Sequence, residues 1–147
     1  MASKSPNLPL HSFSFKDIQI GDTYSFERFI DDELVKSFAD MSGDYNPLHM
    51  DEIYAARTQF GGRVAHGMLS ASFFSALVGM LCPGSHCLYL SQDVRFKKPI
   101  FLNTRVVVKG TVTEKSDAVN IIFLRTLVLD KDGVVVVEGE AKVTVMT

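Results

Sequence analysis

Residues 42–75 read SGDYNPLHMDEIYAARTQFGGRVAHGMLSASFFS, and the second half of that stretch decides the fold. From His66 onward the chain is apolar at helical spacing: Leu69, Phe73, Leu77 and Leu81 recur four apart. Between them Ser70, Ala71, Ser72, Ser75, Ala76 and Gly79 are small. A helix this apolar, with this many small residues, is wrapped closely by other structure. The spacing predicts a helix over residues 66–81, stopped by Pro83-Gly84.

The C-terminal half of the chain supplies the wrapping. Residues 86–96, 105–114, 119–129 and 134–146 read as strands. They are separated by Lys97-Lys98-Pro99, by Lys115-Ser116-Asp117 and by the hairpin turn Asp130-Lys131-Asp132-Gly133. The last run alternates cleanly, with Val137, Gly139, Ala141, Val143 and Val145 on one face.

Upstream, residues 23–30 read as a strand, and Asp31-Asp32 caps a helix with Leu34, Val35, Phe38 and Met41 on one face. Ser42-Gly43 ends it, and residues 51–57 form a short helix around Ile53 and Tyr54. The fold class is α+β: an antiparallel β-sheet wrapped around a central buried α-helix. One domain covers residues 1–147, with residues 1–12 as a loose tail.

Composition narrows the function. Among 147 residues, 46% are hydrophobic and 22% charged, which suits a globular core. A balance of 15 basic against 17 acidic residues gives −2, without the footprint of a nucleic-acid binder. The first dozen residues lack an apolar signal core, and no apolar run is long enough to span a bilayer. A cytoplasmic location is the default, with an organellar matrix left open. Cys82 and Cys87 read as free thiols rather than a disulfide, and Cys82, His86 and Cys87 lack a second ligand cluster, so no metal is expected.

The chemistry sits in the first half of the quoted stretch. Asp44-Tyr45-Asn46-Pro47-Leu48-His49 puts a carboxylate and an imidazole five residues apart on a proline-bearing turn. Gly67 falls where a helix N-terminus points its free N–H groups outward. An acid/base pair beside such donors is what proton chemistry next to a carbonyl requires. Taken singly, Asp44 reads as a turn residue and His49 as a hydrogen-bonded surface histidine. His66 reads as a capping or packing residue rather than a catalytic one.

The strings SGDYNPLHMDEIYA, FGGRVAHGMLSASFFSALVG and LYLSQDVRFKKPIF together resemble the MaoC-like, (R)-specific enoyl-CoA hydratases of the hot-dog superfamily, from about Phe13 onward. The resemblance implies a hot-dog fold and a homodimer with sheets joined edge to edge. It implies that Asp44 and His49 form the catalytic dyad and that the Gly67 backbone N–H binds the thioester oxygen. It gives Asn46 a positioning role and places Ser75 as a serine supporting the dyad.

The implied reaction is reversible hydration of trans-2-enoyl-CoA to (R)-3-hydroxyacyl-CoA. No cofactor is needed, since coenzyme A is part of the substrate. Tyr45, Arg63, Arg95 and Lys97 are the candidate substrate-binding residues, the cations for coenzyme A phosphates. Read alone, each cation is a solvated charge; as strand residues, Arg95 and Lys97 share one face and Lys98 the other. Two alternatives stay open: a 3-hydroxyacyl dehydratase acting on acyl-carrier-protein thioesters, and a non-catalytic acyl-CoA-binding protein. No nucleic-acid or membrane partner is expected.

Overall fold

The computed structural model describes residues 5–147. β1 (Thr23–Ile30) leads into α1 (Asp32–Ser42), whose cap Asp31 accepts the Leu34 N–H at 2.8 Å. Two short helices, α2 (Pro47–Met50) and α3 (Glu52–Ala56), carry the chain to α4 (Gly67–Ala76). Then come β2 (Cys87–Gln92), β3 (Arg95–Phe96), β4 (Thr104–Ser116), β5 (Ile121–Leu129) and β6 (Val135–Val145).

The strands form one six-stranded antiparallel sheet in the order β1–β4–β5–β6–β2, with β3 also paired to β6. Register keeps the apolar positions on one face. Phe26 of β1 lies opposite Val108 of β4, and Leu124 of β5 opposite Ala141 of β6. That face meets α4. Leu69, Phe73, Leu77 and Leu81 are all buried, packed with Phe26, Val106, Val108, Val128 and Val137. Each large side chain removed from water in this way contributes about 1.5–3 kcal/mol. A second cluster, around Val78, Val112, Ile122, Leu124 and Val143, buries the Cys82 thiol and pushes its pKa up to about 12. Burial also raises Cys87, and neither cysteine is in a disulfide. No helix among the described residues is long and apolar enough to cross a membrane.

Several local expectations need correcting. The helix over residues 66–81 is α-helical only to Ala76 and widens into a π-helix over Leu77–Leu81. It is not wrapped on every side, because Met68, Ser72 and Ser75 are exposed. The tail is not loose over its described part: His11 N–H donates to the Met80 carbonyl, Ser85 N–H to the His11 carbonyl, and Leu8 packs on the core. Residues 1–4 of that tail lie outside the described residues.

On α1 it is Val35 and Ala39 that are buried, one turn apart, while Met41 points to solvent. On α3 the buried residue is Ala55, and Ile53 and Tyr54 are exposed. Residues 86–96 are two strands rather than one: β2 carries a register shift between Tyr89 and Ser91 and ends at Gln92, and the ladder with β6 resumes only at Arg95, after Asp93-Val94. Lys115 and Ser116 belong to β4, whose pairing with β5 continues past a bulge at Val112/Glu114.

Candidate active site

The site begins where α1 stops. Gly43 takes φ +81°, the left-handed conformation that glycine adopts without penalty, and its N–H closes the helix on the Ala39 carbonyl at 2.8 Å. Asp44 comes next. One carboxylate oxygen, Oδ1, accepts the Asn46 N–H at 3.1 Å. Asn46 Oδ1 in turn accepts the Leu48 N–H at 3.0 Å, which makes Asn46 the cap of α2 with Pro47 at its first position. The expected turn is thus a one-turn helix, and His49 sits on it.

That helix aims the imidazole. His49 Nδ1 lies 2.7 Å from the Val64 carbonyl oxygen. A carbonyl only accepts, so Nδ1 carries the proton, and Nε2 of the neutral ring keeps its lone pair. Nε2 faces the second carboxylate oxygen of Asp44, Oδ2, at 3.9 Å. This exceeds a direct hydrogen bond and suits two groups that share a small oxygen ligand between them. The His49 side chain is mostly buried and Asp44 half-exposed, so the pair is reached from Asp44's side.

Behind the pair stands His66, only 2% exposed. Its Nε2 donates to the Asp44 carbonyl at 2.9 Å, and its ring stacks on His49 with centroids 4.0 Å apart. Burial holds its pKa below the ordinary histidine value, with the His49 and Arg63 charges adding to the effect and Asp44 opposing it. Asp44, His49 and His66 bring ligand-type atoms within 4.8 Å of one another. Because His66 Nε2 carries its proton to a carbonyl, that nitrogen offers no lone pair to a cation in this arrangement.

Gly67 is the first residue of α4, and its N–H meets no protein acceptor among the described residues. It lines a cavity of about 430 Å³ together with Ser70, Phe96, Lys97 and Lys98. The Phe96 ring lies so close that a Cβ on Gly67 would sit 2.9 Å from two of its carbons. The site thus brings together Asp44, Asn46 and His49, with the His66-Gly67 step beside them.

Other expected residues fall elsewhere. Ser75 is exposed on α4 and bonds neither Asp44 nor His49. Tyr45 turns away, its hydroxyl donating to Asp40 at 2.6 Å. Arg63 is not a solvated cation: its side chain is 11% exposed and donates to Asp32 at 2.7 Å and to the His49 carbonyl at 2.6 Å. It braces α2 against α1. Arg95 is exposed beside Asp93, and Lys97 lies 3.7 Å from Glu138. Lys97 and Lys98 line the same cavity rather than opposite faces. β3 ends at Phe96, and both lysine N–H groups donate to the Val136 carbonyl, so strand alternation stops there.

Two features escaped the sequence reading. Ser70 is fully buried with a hydroxyl that has no partner among the described residues, and one signal was available: it lies one turn after Gly67 on the same face. The double contact of His66 had no sequence signal, because one half of it is made to a backbone carbonyl.

A family model described as MaoC like domain matches residues 16–132. The (R)-specific enoyl-CoA hydratase of Rhodospirillum rubrum is 40% identical over 131 residues, 89% of this chain and 90% of that one. The solved structure of the (R)-hydratase from Aeromonas caviae involved in PHA biosynthesis matches with a TM-score of 0.87 at 35% identity, covering 88% of this chain and 98% of that one. The mitochondrial 3-hydroxyacyl-acyl-carrier-protein dehydratase of Arabidopsis thaliana is 29% identical over 127 residues, 84% of this chain and 75% of that one.

Proposed function

The chain belongs to the MaoC-like family, has its hot-dog fold and is a hydro-lyase, and from that premise we propose that it adds water to trans-2-enoyl-CoA to give (R)-3-hydroxyacyl-CoA. One water is held between Asp44 Oδ2 and His49 Nε2. Its oxygen bonds to the β-carbon while a proton passes to the dyad. The double-bond electrons move toward the thioester, whose oxygen takes enolate charge. The Gly67 N–H receives that charge, helped by the positive end of α4. The dyad then returns a proton to the α-carbon on the same face, the enolate collapses, and both dyad members regain their starting state. Every group in this scheme comes from the chain, so coenzyme A enters only as part of the substrate.

The observation that supports this reading best is the tautomer of His49. Val64 fixes the proton on Nδ1, which leaves Nε2 as an acceptor directed at Asp44. The same site serves the reverse dehydration. The similarity to the Arabidopsis enzyme supports a second reading, in which the acyl group arrives on a carrier protein. We also read the protein as a homodimer, since α4 presents an open stripe and β2 lies at the sheet edge.

The test tracks loss of enoyl absorbance with crotonyl-CoA and a longer trans-2-enoyl-CoA, and repeats it with the carrier-protein thioester. Wild type consumes the CoA esters, and chiral analysis of the product returns the (R) alcohol. Asp44→Asn and His49→Ala each lose about 10²–10⁴-fold in kcat. Turnover of the carrier-protein ester alone would favour the second reading. Full binding of an enoyl-CoA by wild type without any turnover would mean a binding protein.

A further inference from the structure

We propose that His66 is a positioning residue that holds both members of the dyad at once: Asp44 through its backbone carbonyl and His49 through the face of its ring. The inference rests on the dyad reading and goes beyond it, because nothing in that chemistry requires a second histidine. Both contacts are specific. The 2.9 Å bond from Nε2 pins the carbonyl of Asp44, the residue that must present Oδ2 to the water. The stack on His49 is close, at 4.0 Å between centroids and 33° between planes. Phe38 of α1 also lies against the His66 ring, with centroids 4.9 Å apart, so the ring has two aromatic neighbours.

The protonation state is dictated by the same contacts. With Nε2–H committed to a carbonyl, the neutral ring has a bare Nδ1, which is buried without a partner among the described residues. A second proton there would create a buried cation with an unsatisfied donor, beside His49 and Arg63 and with only Asp44 to offset it. The neutral ring is therefore the working form. It presents a ring face to His49 and adds no like charge beside the group that takes a proton from water. A charged His66 would oppose that step. As the residue before Gly67, His66 also ties the dyad to the start of α4, where the oxyanion donor lies.

Two variants separate the contacts. His66→Phe keeps the ring and loses the donor; His66→Gln keeps a donor of similar reach and loses the ring. In His66→Phe, kcat falls by up to about 100-fold through misplacement of Asp44, with KM and the pH profile little changed. In His66→Gln, kcat falls while KM holds, because His49 loses the ring that fixed its orientation. Wild-type kcat and pH profile in both variants, with only the melting temperature lowered, would reduce His66 to a packing residue. Asp44→Asn and His49→Ala are assayed alongside: if those retain activity the dyad reading fails, and if they lose it while both His66 variants keep it, only this inference fails. Should neither variant fold, nitrogen NMR of the wild type decides. A neutral His66 with its proton on Nε2, persisting below the ordinary histidine range of about 6.5, supports the assignment. The opposite tautomer, or ordinary titration, overturns it.

Discussion

At Gly67 the smallest side chain matters twice. Its N–H is the donor at the open end of α4, and its Cα faces the Phe96 ring with no room for a methyl group. Gly67→Ala is expected to keep the N–H but push the half-exposed ring aside, at a cost of about 1–3 kcal/mol in stability and a fall in kcat. Adding Phe96→Ala should restore much of the lost activity, read as kcat for the single and double variants. An unchanged loss in the double variant would mean that the backbone itself had moved. His66 makes a prediction about pH. Its folded pKa is depressed, so below the unfolded value of about 6.5 the unfolded chain binds the proton more readily and stability falls as pH drops. Denaturation at a series of pH values should show this acid loss in wild type, reduced in His66→Phe. The closeness of Asp44 and His49 could be read from sequence because the motif is local. The burial of His66 could not, since it depends on α1, α2 and α4 converging.

The element on which the site depends most is α2, a four-residue helix that carries His49. So short a helix has little stability of its own and relies on its cap and its tertiary ties. Removing the cap with Asn46→Ala should cost about 1 kcal/mol in a thermal melt, and more in kcat than that figure implies, because His49 loses its aim. Arg63 is the other tie. A lysine has one ammonium where Arg63 uses two separate nitrogens for Asp32 and the His49 carbonyl, so Arg63→Lys should lower the melting temperature. Its effect on KM should be insensitive to salt. A KM that rises steeply with salt only in wild type would restore the phosphate-binding role expected from the sequence. The alternation of β6 and the periodicity of α4 were legible because each is a pattern within one element. The break between β2 and β3 was not, since it depends on pairing with β6, more than forty positions away.

At the scale of the whole molecule, the sheet leaves β1 as one edge and β2, followed by β3, as the other. β2 exposes Leu88 and Leu90, at 51% and 46%, an unguarded apolar edge of the kind that pairs with another strand. Light scattering should give twice the 16.3 kDa chain mass for wild type, and close to the single mass for Leu88→Lys combined with Leu90→Lys. A wild-type monomer would end the edge-pairing proposal. Residue spacing reveals the helix and the strands around it, but not the strand order, which is set by contacts that no local pattern records. Burial of the thiols carries a consequence of another kind. Enoyl thioesters are soft electrophiles that alkylate thiolates by conjugate addition. With its pKa near 12, Cys82 holds about one part in 10⁵ as thiolate at pH 7, and Cys87 is shifted in the same direction. If the proposed reaction is the one catalysed, the protein is thereby protected against covalent self-inactivation by its own substrate.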